Sequence, residues 1–118
     1  MFIVYGIPNC NTVKKARVWL DEKGILYTFH DYKKKGISPE KITSWLEKYP
    51  WEKLVNKAGT TWKQLSDDEK AAVSDAKSAI DLMVLKNSVI KRPLIENEAG
   101  EAVALGFSEK DYEEIFLV

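Results

Sequence analysis

The stretch Gly6-Ile7-Pro8-Asn9-Cys10-Asn11-Thr12 decides how the rest of the chain is interpreted, because it places the single cysteine between an apolar strand and a helix. The run before it, Phe2–Tyr5, is apolar, β-branched and aromatic, which predicts a buried strand. After it, apolar residues recur at helical spacing, and Gly24 stands where a C-terminal cap glycine belongs. Those apolar residues are Val13, Ala16, Trp19 and Leu20. Cys10 is therefore predicted at or just before a helix N-terminus.

This position favours the thiolate form of Cys10. The unpaired N–H groups and the positive dipole end of a helix stabilise negative charge. Lys14 adds a cation in the first turns, and a cysteine so placed can have its pKa lowered well below the usual value of about 8.5. We interpret Cys10 as a nucleophile. The alternative is a small buried hydrophobe, the commonest fate of a free cysteine, but the flanking Asn9 and Asn11 are typical of a surface loop.

The chain holds no second cysteine, so it cannot form a disulfide within itself. Val13 stands where a Cys-x-x-Cys motif would have its second thiol. A single cysteine and a short N-terminal apolar run without basic residues predict a protein of the reducing cytosol without a signal peptide. No apolar stretch has the length of a bilayer span, so no membrane association is expected.

Composition limits the function classes further. The 118 residues predict one domain, over 1–118, with a core that needs neither disulfides nor a metal. Eighteen Lys and Arg balance eighteen Asp and Glu, so no electrostatic footprint for direct nucleic-acid binding is expected. No His/Cys cluster or glycine-rich phosphate loop is present, which predicts neither a metal site nor a bound nucleotide.

The segment 25–32 is rich in β-branched and aromatic residues, which predicts a second strand. Strand, helix and strand in this order form a βαβ unit with parallel strands. His30 is the only histidine, and we interpret it as a structural side chain rather than a catalyst. The lysine run 33–35, followed by Gly36, predicts a solvated loop.

The middle of the chain, about residues 37–88, predicts a helical insertion packed on the same core. Ser38-Pro39-Glu40 is a helix start, and the apolar stripe behind it runs to Tyr49. Ser66-Asp67-Asp68-Glu69 is a capping box. A further helix is predicted at about 75–86. Its inner face is expected to carry Ala76, Ala79, Ile80 and Met83.

The last third returns to strands. Leu94–Glu96 and Ala102–Leu105 flank turn residues, which predicts an antiparallel hairpin. Pro93 opens the first of these strands, where a missing N–H is tolerated. Ser108 caps a terminal helix. Its apolar face is predicted to consist of Tyr112, Ile115 and Phe116.

Five motifs in register resemble the ArsC (arsenate reductase-like) family, and within it the YffB branch, whose relative is the Spx regulator. The motifs are Gly6–Arg17, Phe29–Tyr32, Gly59–Lys63, Ile90–Leu94 and Leu105–Ser108. The resemblance implies an α/β, thioredoxin-like (glutaredoxin-like) fold of order β-α-β, helical insertion, β-β-α, with a four-stranded mixed sheet. It also implies that Pro93 follows a cis peptide bond and lies beside the cysteine loop.

The same resemblance implies site residues. Members that reduce arsenate use the loop cysteine as nucleophile and three arginines to hold the oxyanion, and they depend on glutathione and glutaredoxin. Cys10 matches the nucleophile and Arg92 matches the arginine before the proline. The first arginine falls at Lys63, which lacks the bidentate fork that suits an oxyanion. The third falls near Gly106, where no basic residue stands, so efficient arsenate reduction is not expected.

These residues together lead to the expectation of a glutathione-dependent monothiol reductase. Cys10 would be the nucleophile, and Lys14, Lys63 and Arg92 would stabilise its thiolate or hold an anion. Glutathione would be a co-substrate and glutaredoxin a partner, with no bound cofactor or metal. The alternative is an Spx-like regulator that binds the C-terminal domain of the RNA polymerase α subunit. A third possibility is a retained fold whose thiol does little.

Overall fold

The computed structural model describes residues 1–117. In chain order its elements are β1 (Phe2–Gly6), α1 (Asn11–Glu22), β2 (Tyr27–Asp31), α2 (Tyr32–Lys35), α3 (Pro39–Trp45), α4 (Trp51–Leu54), α5 (Thr60–Lys63), α6 (Asp67–Ala71), α7 (Ala76–Leu85), a 3₁₀ turn (Asn87–Val89), β3 (Leu94–Glu96), β4 (Ala102–Leu105) and α8 (Glu109–Phe116). They form two compact units. The first is Met1–Lys35 with the chain from Arg92 onward, and the second is Gly36–Lys91.

The first unit is built on a four-stranded mixed sheet of order β2-β1-β3-β4. Strands β1 and β2 are parallel, whereas β3 runs antiparallel to both β1 and β4. The parallel β1–β2 pair confirms the predicted βαβ unit, and the antiparallel β3–β4 pair confirms the predicted hairpin. The turn of the hairpin closes between Asn97 and Glu101, and Gly100 within it has φ +80°.

Helices α1 and α8 cover one face of this sheet. Val4, Ile95 and Ala104 pair across three strands and therefore point to the same side. The buried cluster on that side is Val4, Ala16, Trp19, Leu20, Ile95, Ala104 and Tyr112. The Trp19 and Tyr112 rings meet edge to face, with their centroids 5.4 Å apart. The apolar stripe that predicted α1 is thus the stripe that the helix buries.

The prediction for the apolar face of α8 is wrong at one position. Ile115 is exposed, whereas Tyr112 is buried and Phe116 is half-buried. The Phe116 ring lies edge to face with Phe2, 4.9 Å between centroids, and 5.3 Å from the Tyr112 ring. These aromatic contacts orient the helix on Tyr112 and Phe116, so Ile115 falls at its margin.

The other face of the sheet carries a buried polar pair. The Tyr5 hydroxyl donates a 2.9 Å hydrogen bond to Glu96, whose side chain has no exposed surface. His30 pairs with Tyr5 across β1 and β2, and their rings lie 4.9 Å apart. His30 therefore has a packing contact within the sheet, as its structural interpretation requires.

Two local predictions in the first unit need correction or refinement. The lysine run is not a loop, because Tyr32–Lys35 forms the helical turn α2. Asp31 stabilises this turn, since its carboxylate accepts from the backbone N–H of Lys33 at 3.0 Å. Gly24 ends α1 as predicted, with φ +69°, a left-handed conformation that glycine adopts without strain.

The second unit, Gly36–Lys91, holds α3 to α7 and the 3₁₀ turn. The helical insertion was predicted at about 37–88, so the unit begins one residue earlier and ends three residues later. Ser66 and Glu69 form the predicted capping box, with hydrogen bonds of 3.1 and 2.9 Å. Asp75 and Ser78 form a second capping box at the start of α7.

Helix α3 is shorter than predicted, ending at Trp45 rather than Tyr49. The hydroxyls of Thr43 and Ser44 donate to backbone carbonyls of the preceding turn, at 2.8 and 2.6 Å. Such bonds compete with the regular helical ladder, and the chain continues as tight turns. On α7 the prediction for Ala76 is wrong: it is exposed in the first helical turn, while Ala79 and Met83 are buried.

None of the helices within residues 1–117 is long and apolar enough to cross a lipid bilayer.

Candidate active site

Three chain segments meet at one edge of the sheet. Gly6 at the end of β1 pairs with Asp31 at the end of β2, so the cysteine loop and Tyr32 leave the sheet together. Strand β3 runs the opposite way, and its first residue, Leu94, pairs with Tyr5. Arg92 and Pro93 therefore enter at this same edge. The Arg92–Pro93 peptide bond is cis, as expected from the family resemblance.

Gly6 allows α1 to approach the end of β1 closely. A Cβ atom at this position would lie 3.0 Å from Cγ2 of Val13, so tight a contact that Val13 would have to shift by a few tenths of an ångström. Val13 has no exposed surface. The position of the second thiol in a Cys-x-x-Cys motif is thus occupied here by a core residue that packs against Gly6.

Cys10 is the N-cap residue of α1. Its backbone is extended, with φ −105° and ψ 124°, and its carbonyl accepts the first helical hydrogen bond, from the Lys14 N–H at 2.9 Å. The side chain is half-buried, and the neighbouring Asn9 and Asn11 are exposed. The thiol therefore lies at the N-terminus of the helix, near the surface and not in the core. This position disfavours the interpretation of Cys10 as a small buried hydrophobe.

The surroundings of Cys10 lower the pKa of its thiol. Burial is the largest single influence and acts against the thiolate. It is outweighed by the N–H of Val13, by the hydrogen bond and positive charge of Arg92, and by the N–H of Thr12, all of which stabilise the thiolate. Helix N-terminus and guanidinium act together, so the direction agrees with the prediction from sequence.

Arg92 connects Cys10 with a residue that the sequence reasoning missed. Its guanidinium hydrogen-bonds the Cys10 sulfur and the Tyr32 hydroxyl. Burial opposes the charged guanidinium, but the contacts with Cys10 and Tyr32 outweigh it and raise the pKa of Arg92. Since a guanidinium only donates hydrogen bonds, both the sulfur and the hydroxyl oxygen act as acceptors.

Tyr32 is 1% exposed and lies in the first turn of α2. Burial raises the pKa of Tyr32 to about 12, against the opposing influence of Arg92, while the charges of Cys10 and Asp31 raise it further. The phenol is therefore neutral at physiological pH. The sequence predicts Tyr32 as the last residue of a strand. Its place in the Phe29–Tyr32 motif is the one feature of the sequence that pointed to the site.

The remaining predicted site residues have different surroundings. Lys14 is exposed and lines a cavity of about 550 Å³ whose lining includes Trp19, Phe107 and Glu109. Lys63 is exposed at the end of α5, in the second unit. The roles of Lys14 and Lys63 at the thiol stay predictions.

Gly106 lies near the position where the family resemblance implies a third arginine. It has φ +77°, and its N–H donates to the Pro93 carbonyl at 2.8 Å. This position therefore supplies a backbone hydrogen bond beside the cis peptide and no cation. Within residues 1–117, no three His, Cys, Asp or Glu side chains come together as a metal site would require.

Comparison with known proteins identifies the family that this chain matches. A family model described as the ArsC family matches residues 5–115. An uncharacterised protein of Haemophilus influenzae is 39% identical over 116 residues, which cover 98% of this chain and 99% of that protein. The global transcriptional regulator Spx of Lactiplantibacillus plantarum is 24% identical over 115 residues, which cover 94% of this chain and 83% of the regulator.

Solved structures give the same result. The YffB protein is 40% identical, with a TM-score of 0.89 and 98% of each chain covered. An arsenate reductase (ArsC) related protein from Brucella melitensis is 46% identical, with a TM-score of 0.76 and coverage of 99% of this chain and 95% of that one. This chain therefore shares the thioredoxin-like α/β fold of these proteins over 98–99% of its length.

Proposed function

Because this chain belongs to the ArsC family, we propose that it is a glutathione-dependent monothiol reductase with Cys10 as its nucleophile. The observation that carries the proposal is the position of Cys10 at the N-cap of α1, with the positively charged Arg92 guanidinium beside its thiol. A lowered thiol pKa makes the nucleophilic thiolate available near neutral pH. The reducing cytosol, which keeps glutathione reduced, is the compartment that this chemistry requires.

The reaction follows from the presence of one cysteine. The Cys10 thiolate attacks the glutathione sulfur of a glutathionylated thiol, and the substrate sulfur leaves as a thiolate that takes a proton from water. A Cys10–glutathione disulfide results. A second glutathione, as thiolate, attacks that disulfide at the glutathione sulfur, releasing oxidised glutathione and restoring the Cys10 thiolate. Arg92 stabilises Cys10 both as attacking group and as leaving group.

An external thiol is needed because the chain offers no resolving cysteine. Val13 lies where a second thiol would be, and it is buried against Gly6. Glutathione or glutaredoxin would supply the second thiol. Arg92 would also hold a carboxylate of glutathione or another anionic group of the substrate. Lys14 would add positive charge for the same purpose.

Arsenate is a weaker candidate substrate. Each charge-assisted hydrogen bond to an oxyanion contributes about 1.5–3 kcal/mol. With Lys63 in place of one arginine and Gly106 in place of another, the oxyanion would lose much of that stabilisation. A disulfide sulfur carries no such charge and does not depend on a complete arginine set.

The test is to measure iodoacetamide alkylation of Cys10 against pH, and then to search by mass spectrometry for a single glutathione adduct after oxidised glutathione is added. We expect a midpoint below that of free cysteine, one adduct, and turnover with a glutathionylated peptide when reduced glutathione is supplied. Cys10→Ser is the control and should lose both adduct and turnover. A thiol that titrates like free cysteine and forms no adduct would contradict the proposal.

A second candidate function is an Spx-like regulator that binds the C-terminal domain of the RNA polymerase α subunit. The match to Spx over 94% of this chain favours it. Val13 excludes an intramolecular Cys-x-x-Cys disulfide switch, so such a regulator would not sense oxidation in that way. A pull-down with the purified α-subunit domain tests it, and lack of binding at micromolar concentrations would count against this function.

A further inference from the structure

We propose that Tyr32 is a positioning residue that holds the Arg92 guanidinium against the Cys10 thiolate. The inference rests on the proposed function, because it concerns the thiolate on which that function depends. Gly6 and Asp31 pair at the ends of two parallel strands, so the cysteine loop and Tyr32 leave the sheet side by side. Arg92 enters at the same edge. The topology therefore brings three residues together that are far apart in sequence.

The contacts show how Tyr32 acts through Arg92. One guanidinium donates hydrogen bonds to both the Cys10 sulfur and the Tyr32 hydroxyl oxygen. Arginine has many rotamers, and holding one of them costs conformational entropy. The second anchor at Tyr32 reduces the number of rotamers that the half-buried Arg92 side chain can adopt. The guanidinium is thus already in place when the thiolate forms.

The anchor itself is rigid. Tyr32 is 1% exposed, and the Asp31 carboxylate accepts from the Lys33 and Lys34 N–H groups at 3.0 and 3.4 Å, which fixes the turn around it. A buried side chain on a capped turn directly after a sheet strand has little freedom to move. The hydroxyl therefore provides a fixed acceptor for Arg92.

A neutral phenol suits this role better than a carboxylate would. A tyrosine is ordinarily protonated at physiological pH, and burial raises the pKa of Tyr32 further, to about 12. An anionic partner would compete with the thiolate for the guanidinium charge and would repel the thiolate directly. Tyr32 accepts a hydrogen bond from Arg92 without adding negative charge, so the positive charge remains available to Cys10.

The test is Tyr32→Phe, read out as the pH profile of Cys10 alkylation. We expect the midpoint to move to higher pH and the rate below the midpoint to fall about threefold to tenfold, since one pKa unit is a tenfold change in thiolate fraction. Tyr112→Phe is the matched control, because Tyr112 is also 1% exposed and its hydroxyl donates to a backbone carbonyl, that of Gly106, at 2.6 Å. It should lower the melting temperature without moving the profile.

A double-mutant cycle separates action through Arg92 from general disturbance. In an Arg92→Ala background, Tyr32→Phe should move the profile much less than in the wild-type background. An equal shift in both backgrounds, an unmoved profile for Tyr32→Phe, or an equal shift for Tyr112→Phe would overturn the proposal. If wild-type Cys10 is reactive and forms its glutathione adduct while Tyr32→Phe changes nothing, this inference fails and the proposed function stands.

A reciprocal measurement covers a Tyr32→Phe variant that does not fold. Arg92 favours the ionised form of Tyr32. Arg92→Ala removes the guanidinium from the phenol, so it should shift the Cζ resonance of ring-labelled Tyr32 at neutral pH, where the protein is folded. An unchanged Tyr32 resonance in that variant would overturn the proposed contact.

Discussion

Replacing Tyr5 with phenylalanine should destabilise the protein by about 1–3 kcal/mol, the usual cost of removing one partner of a buried hydrogen bond. The Tyr5 side chain is 5% exposed, and its hydroxyl donates a 2.9 Å hydrogen bond to the fully buried carboxylate of Glu96. Glu96 has further interactions besides this bond. We therefore expect less than the roughly 3–5 kcal/mol that leaving a buried charge without any partner costs.

Urea unfolding followed by tryptophan fluorescence measures this change, because the chain contains four tryptophans. The control is Tyr27→Phe on the neighbouring strand. The Tyr27 hydroxyl accepts a 3.2 Å hydrogen bond from Arg17 at a half-buried site, and its loss should cost about 0.5–1 kcal/mol. In a Glu96→Gln background, Tyr5→Phe should cost less, because the lost bond is then to a neutral amide.

The pH dependence supplies an independent check. Burial, together with Glu96, raises the pKa of Tyr5 above its usual value. A raised pKa in the folded state means that the stabilisation is complete below the unfolded value of about 10 and is lost as pH rises above it. Tyr5→Phe should therefore flatten the fall in stability above about pH 10. Equal unfolding free energies for Tyr5→Phe and Tyr27→Phe, or an unchanged alkaline limb, would refute the reasoning.

Two further predictions concern the cysteine loop and the anion site. Gly6→Ala should lower the free energy of unfolding by about 1–3 kcal/mol through overpacking, since its Cβ would lie 3.0 and 3.3 Å from the Val13 methyl groups. If that contact is the cause, adding Val13→Ala should recover part of the loss. Additive losses of the two substitutions, measured by urea unfolding, would contradict this explanation. A glutaredoxin-coupled arsenate assay should show little turnover, because the family resemblance implies three oxyanion-binding arginines and only Arg92 matches one of them in this chain. Robust turnover would mean that the residues present suffice to hold the oxyanion.

Local signals predicted most elements of the fold correctly. Gly24 at the end of α1, Ser38 and Ser66 as N-caps, and the turn of the final hairpin all act through hydrogen bonds or backbone angles within a few residues. Where local predictions failed, another contact decided. The Thr43 hydroxyl hydrogen-bonds the backbone of α3, which ends earlier than predicted. The aromatic packing of Phe116 leaves the neighbouring Ile115 exposed.

Some features of the candidate site could likewise be predicted from local sequence, whereas others depend on tertiary contacts. One thiol, a helix that begins at it and the lack of a second cysteine to resolve it could all be predicted from the sequence, because these properties depend on composition and on adjacent residues. That Arg92 and Tyr32 lie near Cys10, and that Tyr5 pairs with Glu96, became visible only in the folded chain. Strand pairing and the direction in which each side chain leaves the sheet determine these contacts, and no pattern of neighbouring residues encodes them.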